Sequence, residues 1–169
     1  MLTMAGSYFA AGWGFVISAT FTVAIVEREP ALAGQGALAW ALVGLAAMPA
    51  VFRELAENAA REAGFASSAP DACLINRYEP GAKMGLHQDR DERDYRHPIV
   101  SVSLGLPAVF ELGGLERGDK VQRLGLQHGD VLVWGGPARL RFHGVLPLKA
   151  GSHALLGEQR INLTFRRAG

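Results

Sequence analysis

The sequence has little cysteine and little net charge. Only one cysteine, Cys73, occurs among 169 residues, so no internal disulfide can form and the disulfide-stabilised class of small secreted domains is excluded. A lone thiol is typical of a protein from a reducing cytoplasm. The formal net charge is only +1, whereas nucleic-acid-binding domains usually carry a pronounced basic face. The length is that of one domain with a sizeable core.

Charge is nearly absent from the start of the chain, where Glu27-Arg28-Glu29 contains the only three charged side chains of the first 52 residues. The uncharged runs 1–26 and 30–52 are each long enough to cross a bilayer. Glycines, and the lack of basic residues on the amino-terminal side, argue against a membrane anchor and against a cleaved signal peptide. We predict an atypical apolar segment over residues 1–50 and a single domain over residues 51–169.

Short strand-like runs dominate the chain after residue 70. About eight such runs, separated by glycine and proline, indicate a mainly β architecture. Residues 72–78 are predicted as a strand and residues 79–82 as a turn. Residues 51–64 are predicted as a supporting helix that stops at Gly64. The apolar stripe of this helix is predicted to contain Val51, Leu55 and Ala59.

Polar and apolar residues alternate strictly over residues 160–166, which predicts a half-buried strand. Three apolar side chains would pack against a second layer: Ile161, Leu163 and Phe165. Four polar side chains would face the other way: Arg160, Asn162, Thr164 and Arg166. Inward guanidiniums need an anion, because a buried unpaired charge costs several kcal/mol, and a dicarboxylic acid fits their planar geometry. Asn76 and Tyr78, on one face of the earlier strand, would add neutral donors.

The triplet His87-Gln88-Asp89 and the later His143 predict a metal site. On an extended strand, His87 and Asp89 project from the same face and converge on one ion. Two imidazoles and one carboxylate form the ligand set of non-haem iron oxygenases and leave positions for a co-substrate and O2. Taken singly, a His-x-Asp triplet is more often part of a surface loop, and a lone histidine such as His143 is more often a hydrogen-bonded core or loop residue. The remaining histidines are predicted to be structural or exposed: His97, His128 and His153.

Five stretches together resemble the AlkB family of iron(II)- and 2-oxoglutarate-dependent dioxygenases, in its bacterial DNA-repair branch. They are residues 71–78 (DACLINRY), His87-Gln88-Asp89 followed by Asp91, and residues 98–105 (PIVSVSLG), 128–136 (HGDVLVWGG) and 162–166 (NLTFR). The resemblance extends from about Met48 to Ala168. It implies a mainly β (α+β) fold, a double-stranded β-helix or jelly roll with one or two supporting amino-terminal helices and the metal at its open mouth.

The resemblance also implies roles for ten residues. Three would be the catalytic iron ligands: His87, Asp89 and His143. Three would surround the distal carboxylate of 2-oxoglutarate: Asn76, Tyr78 and Arg160. Two would lie near the end of 2-oxoglutarate that chelates the metal: Asn162 and Arg166. Two would lie on the substrate side, where the first would touch the damaged base: Asp91 and Arg117.

The activity implied by the resemblance is oxidative demethylation of bases such as 1-methyladenine and 3-methylcytosine, with 2-oxoglutarate and O2 consumed and formaldehyde, succinate and CO2 released. These lesions are positively charged, so the carboxylate of Asp91 would favour them over normal bases. The methylated atom lies on the Watson-Crick edge, so the base must be flipped or single-stranded. The expected partner is alkylated DNA, with RNA left open, and the protein is expected to be a cytoplasmic monomer.

The segment before Met48 departs from the family pattern. In the family, that segment normally forms a nucleotide-recognition lid, and here only Gly12-Trp13 resembles it. Iron and 2-oxoglutarate binding are therefore better founded than lesion binding. The alternatives are a hydroxylase of a protein or small molecule, a copy that turns over 2-oxoglutarate without repair, a non-catalytic jelly-roll module, and a membrane-tethered interaction protein.

Overall fold

The computed structural model describes residues 48–169. The predicted apolar segment lies outside these residues except at its last three positions, and the comparison of Gly12-Trp13 with a lid lies outside them entirely. Within the described part of the chain, no helix has the length and apolar character needed to cross a membrane.

Within residues 48–169, eight strands form two four-stranded antiparallel sheets, which confirms the predicted mainly β jelly-roll architecture. The strands are β1 (Ala72–Tyr78), β2 (Met84–His87), β3 (Ile99–Gly105), β4 (Ala108–Leu112), β5 (Gln122–Leu126), β6 (Val131–Trp134), β7 (His143–Val145) and β8 (Arg160–Arg166). The strand order is β1-β8-β3-β6 in the first sheet and β2-β7-β4-β5 in the second. A short 3-10 turn, Gly136–Ala138, lies between β6 and β7.

Helix α1 (Ala50–Glu62) packs on the first sheet through a stripe that differs in part from the predicted one. Ala56 and Ala60 are fully buried, while Val51 is 67% exposed and Leu55 39% exposed. The predicted stripe is therefore wrong at Val51 and Leu55, whereas its third member, Ala59, is partly buried against the core cluster. The ring of Phe52 meets the ring of Phe165 edge-on at 5.8 Å, and the small alanines on the same face let the helix lie close to the sheet.

The predicted stop at Gly64 is confirmed. Gly64 has φ +91°, a left-handed conformation that glycine adopts without a steric penalty. Its N–H donates to Arg61 O at 3.0 Å, and the N–H of Phe65 donates to Ala60 O at 2.8 Å. These two bonds form the Schellman motif, which satisfies the last carbonyl groups of the helix.

β8 occupies a central place in the first sheet, paired with β1 on one side and β3 on the other. Its apolar residues join the core cluster beneath α1, as the alternation predicted. Its four polar residues line a cavity on the opposite face. One strand thereby separates the apolar core from the polar site.

Phe165→Ala is expected to lower the free energy of unfolding by about 3–5 kcal/mol, because it empties a fully buried site against α1. Urea denaturation measures this change. Leu155→Ala is the matched control, because Leu155 is 80% exposed and its truncation should change stability by about 0.5 kcal/mol or less. Equal losses in the two variants would contradict the placement of Phe165 in the core.

Candidate metal centre

The two histidines meet because β2 and β7 are paired. His87 ends β2 and lies directly opposite His143, the first residue of β7, after an irregularity in the register. Their ring centroids are 4.4 Å apart. The ring of His143 also packs against those of Trp134, at 5.0 Å, and Phe110, at 5.9 Å, which restricts its orientation. A pairing of two distant strands thus brings together residues 56 positions apart in sequence.

Asp89 reaches the same point from outside the strand. The prediction that it shares a strand face with His87 is wrong, since β2 ends at His87 and Asp89 lies in the following loop. Its Oδ1 atom is 3.7 Å from His87 Nε2 and its Oδ2 atom is 3.6 Å from His143 Nε2. The three ligand atoms all lie within 4.8 Å of one another. The convergence of the three side chains is therefore confirmed, although the loop provides it.

Hydrogen bonding and burial prepare these side chains for a cation. His87 Nδ1 lies 2.9 Å from Gly85 O and His143 Nδ1 lies 3.1 Å from Arg141 O, so a proton on each Nδ1 leaves Nε2 free to coordinate. Burial and the neighbouring His143 lower the pKa of His87, which favours its neutral form. Burial alone would raise the pKa of Asp89, but the hydrogen bond and charge of His143, with Arg166, lower it to about 2. Two imidazoles and one carboxylate fit a ferrous ion.

The triad opens into a cavity of about 300 Å³ between the two sheets. Nine of the ten predicted site residues line it: Asn76, Tyr78, His87, Asp89, Asp91, His143, Arg160, Asn162 and Arg166. Such a size is typical of a site for a small ligand. The cavity thus combines the predicted metal ligands with the predicted 2-oxoglutarate residues.

Arg160 presents two unused donors in this cavity. The residue is 1% exposed, and its Nη2 atom donates a hydrogen bond to Ser103 Oγ at 3.0 Å. Its guanidinium carbon lies 5.0 Å from the ring centre of Tyr78. Among residues 48–169, Nε and Nη1 of Arg160 have no hydrogen-bond partner although both are buried. A buried guanidinium with two free donors fits the carboxylate of a bound anion, because such donors are costly to leave unpaired.

Asn162 and Arg166 find protein partners, which the sequence did not reveal. Asn162 Nδ2 donates to Ser101 Oγ at 2.8 Å and to Val102 O at 3.0 Å. Arg166 Nη1 lies 3.0 Å from Glu92 Oε1 and 3.4 Å from Asp89 Oδ1. The expectation that both inward arginines need an external anion is therefore wrong for Arg166. Glu92 carried no sequence signal, since it stands in a charged loop without periodicity.

The two predicted substrate residues differ in position. Asp91 is exposed and lines the cavity. Arg117 is exposed and lies outside the cavity lining, where its Nη1 atom donates to Leu86 O at 3.0 Å. Its guanidinium carbon lies 5.0 Å from the ring centre of Phe142. Their contacts with a nucleic acid stay predictions.

The remaining histidines lie outside the cavity lining, as predicted for structural or exposed residues. His128 Nδ1 accepts a hydrogen bond of 2.9 Å from the N–H of Gly105. Its ring stacks on that of His153 at 4.3 Å. His97 is half-buried beside Asp94, with 3.6 Å between Nε2 and Oδ2.

Gly144→Ala is expected to weaken metal binding by about tenfold or more, a loss of about 1.4 kcal/mol. A Cβ atom at Gly144 would lie 2.7 Å from Met84 O, so β2 would have to move away from β7 and separate the two histidines. Calorimetric titration with Mn(II) measures the effect. Gly125→Ala is the control, since a Cβ there meets nothing within 4 Å among the described residues. An unchanged affinity in Gly144→Ala would show that the close approach of these strands does not set the ligand spacing.

Comparison with known proteins agrees with this geometry. The family model of the 2OG-Fe(II) oxygenase superfamily matches residues 39–166. The Alpha-ketoglutarate-dependent dioxygenase AlkB of Escherichia coli is 63% identical over 123 residues, which are 73% of this chain and 57% of that protein. The DNA N(6)-methyladenine demethylase ALKBH1C of Arabidopsis thaliana is 35% identical over 71% of this chain and 32% of its own length.

A solved structure has a similar fold. The structure of OsALKBH1 superposes with a TM-score of 0.64 at 36% identity, over 71% of this chain and 66% of that one. The chain spans just over half the length of the Escherichia coli protein.

A second family model, that of the uncharacterised MFS-type transporter YbfB, matches residues 1–75, which is less than half the chain. Most of that range lies outside the described residues. The superfamily model covers more than half of the chain and includes the ligand triad, and the Escherichia coli relative shares most residues of this region. The chain therefore belongs to the AlkB family of the 2OG-Fe(II) oxygenase superfamily.

Proposed function

We propose that this chain is an Fe(II)- and 2-oxoglutarate-dependent dioxygenase that removes N-methyl groups from bases in nucleic acid. One observation carries the proposal: a buried guanidinium with two unused donors lies in the same cavity as a His-Asp-His triad whose ligand atoms are within 4.8 Å of one another. Together they match a metal ion and a dicarboxylate held side by side.

The iron would be held by Nε2 of His87, a carboxylate oxygen of Asp89 and Nε2 of His143. Arg160, with Asn76 and Tyr78, would bind the distal carboxylate of 2-oxoglutarate. Bound iron, 2-oxoglutarate and O2 would supply hydroxylation of the N-methyl carbon, after which the C–N bond breaks to release formaldehyde and the unmodified base. The walls of the cavity would shield a bound ligand from part of the bulk water, which would strengthen the electrostatic contacts made inside it.

Substrate selection would fall to residues at the opening of the cavity. The carboxylate of Asp91 would attract the positive charge of 1-methyladenine or 3-methylcytosine, and Arg117 would contact a phosphate near the opening. The name of the Arabidopsis relative, a DNA demethylase, supports nucleic acid as the substrate class. We propose that DNA is the principal substrate and that RNA should be assayed in parallel. We also propose that the protein acts as a monomer in the cytoplasm.

Formaldehyde release tests this function. The full chain is incubated with Fe(II), 2-oxoglutarate and single-stranded oligonucleotides that contain 1-methyladenine or 3-methylcytosine, beside unmethylated oligonucleotides. We expect formaldehyde only with the methylated substrates and succinate in about equal amount. Succinate without formaldehyde would instead favour a hydroxylase of another substrate or uncoupled turnover. An absence of both products would leave a jelly-roll binding module.

A further inference from the structure

Glu92 is a buried carboxylate in the loop between β2 and β3 that none of the roles above uses. Its side chain is 1% exposed. Arg166 Nη1 donates a hydrogen bond of 3.0 Å to Oε1. Arg139 Nη2 lies 3.0 Å from Glu92 Oε2. The two groups form an ion pair, but their geometry is not that of a hydrogen bond. A buried charge is tolerated only when it is paired, so these residues depend on one another.

Arg166 is shared between Glu92 and the predicted metal ligand Asp89. Its Nη1 atom is 3.0 Å from Glu92 Oε1 and 3.4 Å from Asp89 Oδ1, so the shorter contact is with Glu92. The same Asp89 oxygen is 3.7 Å from His87 Nε2 and faces the space between the ligands. A guanidinium that moved fully onto this oxygen would occupy a lone pair that a metal ion needs.

Arg139 holds the loop from its other side. Its side chain is 3% exposed, and its Nη1 atom donates to the backbone oxygen of Asp89 at 3.1 Å. Its Nε atom donates to His97 O at 3.1 Å, near the start of β3. Arg139 thus ties the ligand-bearing start of the loop to its end, with Glu92 between them. The two carboxylates and two guanidiniums of this cluster sum to zero charge.

We propose that Glu92 is a positioning residue for the metal centre, because it accepts the hydrogen bond of Arg166 and keeps that guanidinium from pairing with Asp89. Both carboxylate oxygens of Asp89 then stay available to a divalent metal. Without Glu92, the buried charge of Arg166 would find its nearest acceptor in Asp89 and compete with the metal. This inference rests on the proposed function in one respect only, namely that the triad binds a divalent metal.

Glu92→Gln is expected to weaken Mn(II) binding by about 10- to 100-fold, the size of effect that changes in the surroundings of a metal ligand usually have. The amide keeps the shape of the side chain and removes its charge. Electron paramagnetic resonance of free Mn(II) measures affinity in the absence of substrate and 2-oxoglutarate. Glu111→Gln is the matched control, because Glu111 is also paired with an arginine, at 3.2 Å from Arg123 Nε, and lies outside the cavity lining. Its Mn(II) affinity should equal that of the unaltered chain.

Removing Arg166 separates positioning from a structural role. If Glu92 acts through Arg166, then Arg166→Met and the double variant Glu92→Gln with Arg166→Met should bind Mn(II) within about threefold of each other. The double variant loses one charge of each sign, so the cluster stays neutral. This comparison tests the proposal even if Glu92→Gln alone does not fold. Thermal midpoints recorded for each variant show which ones fold.

The outcomes distinguish this inference from the demethylase proposal. An unchanged Mn(II) affinity in Glu92→Gln, or a double variant that binds far more weakly than Arg166→Met, would overturn the positioning role and leave the demethylase proposal standing. The expected Mn(II) pattern without formaldehyde from the unaltered chain would support the positioning role and overturn the demethylase proposal. A chain that does not bind Mn(II) at all would overturn both.

Discussion

Arg160→Met is expected to raise the KM for 2-oxoglutarate by about 100- to 10,000-fold. Two charge-assisted hydrogen bonds, each of about 1.5–3 kcal/mol, would be lost from the bound carboxylate, and every 1.4 kcal/mol corresponds to about tenfold. Initial rates measured over a range of 2-oxoglutarate concentrations check the value. Mn(II) affinity should stay unchanged, because Arg160 is paired with none of the three metal ligands within the described residues.

The stability of the same variant gives an independent check. Burial lowers the pKa of Arg160, because the charged form is poorly solvated where it lies. Its removal in the absence of 2-oxoglutarate should therefore leave the thermal midpoint unchanged or raised. Arg123→Met, a change at an arginine paired with Glu111 on the surface, should leave the KM unaltered. A normal KM in Arg160→Met would remove the dicarboxylate from the proposal.

Asp89→Ala is expected to abolish turnover and to weaken Mn(II) binding by more than about 100-fold, which exceeds the loss expected for residues that only support a ligand. The variant should still fold, because Arg166 keeps Glu92 as a partner at 3.0 Å. In thermal denaturation, Mn(II) should raise the midpoint of the unaltered chain and leave that of Asp89→Ala unchanged.

Asp94→Ala provides the control for this prediction. Asp94 lies in the same loop, is paired with the neighbouring Arg96 at 2.7 Å, and is not among the residues that line the cavity. Its removal should leave the shift caused by Mn(II) intact. A shift that persists in Asp89→Ala would mean that the metal binds elsewhere, and the enzymatic proposal would then lose its basis.

The parts of the fold that could be predicted are those that depend on residues close together in the sequence. The alternation in β8 reports which side chains face the core, because successive residues of a strand point to opposite faces. Ile161 and Phe165 accordingly pack toward α1, and Arg160 faces the cavity. The end of α1 was equally predictable, since a left-handed residue is needed there and Gly64 supplies it.

The helix stripe was not predictable in the same way. Two apolar series one residue apart run along α1, and each has helical spacing. The choice between them depends on the shape of the sheet surface, where the ring of Phe165 accepts the edge of Phe52 and the buried alanines permit close approach. Val51 and Leu55 are larger and more apolar than alanine, yet Val51 is 67% exposed and Leu55 is 39% exposed.

The sequence by itself determined the donor types of this protein, their order along the chain, and the face of β8 that turns inward, because these properties follow from side-chain chemistry and a period of two. Only the tertiary structure decided that His143 stands opposite His87 and that a loop brings Asp89 to both. It also decided that Glu92 accepts a hydrogen bond from Arg166, while two donors of Arg160 have no partner among the described residues. Contacts between distant segments depend on how strands pair and loops close, and no local spacing encodes them.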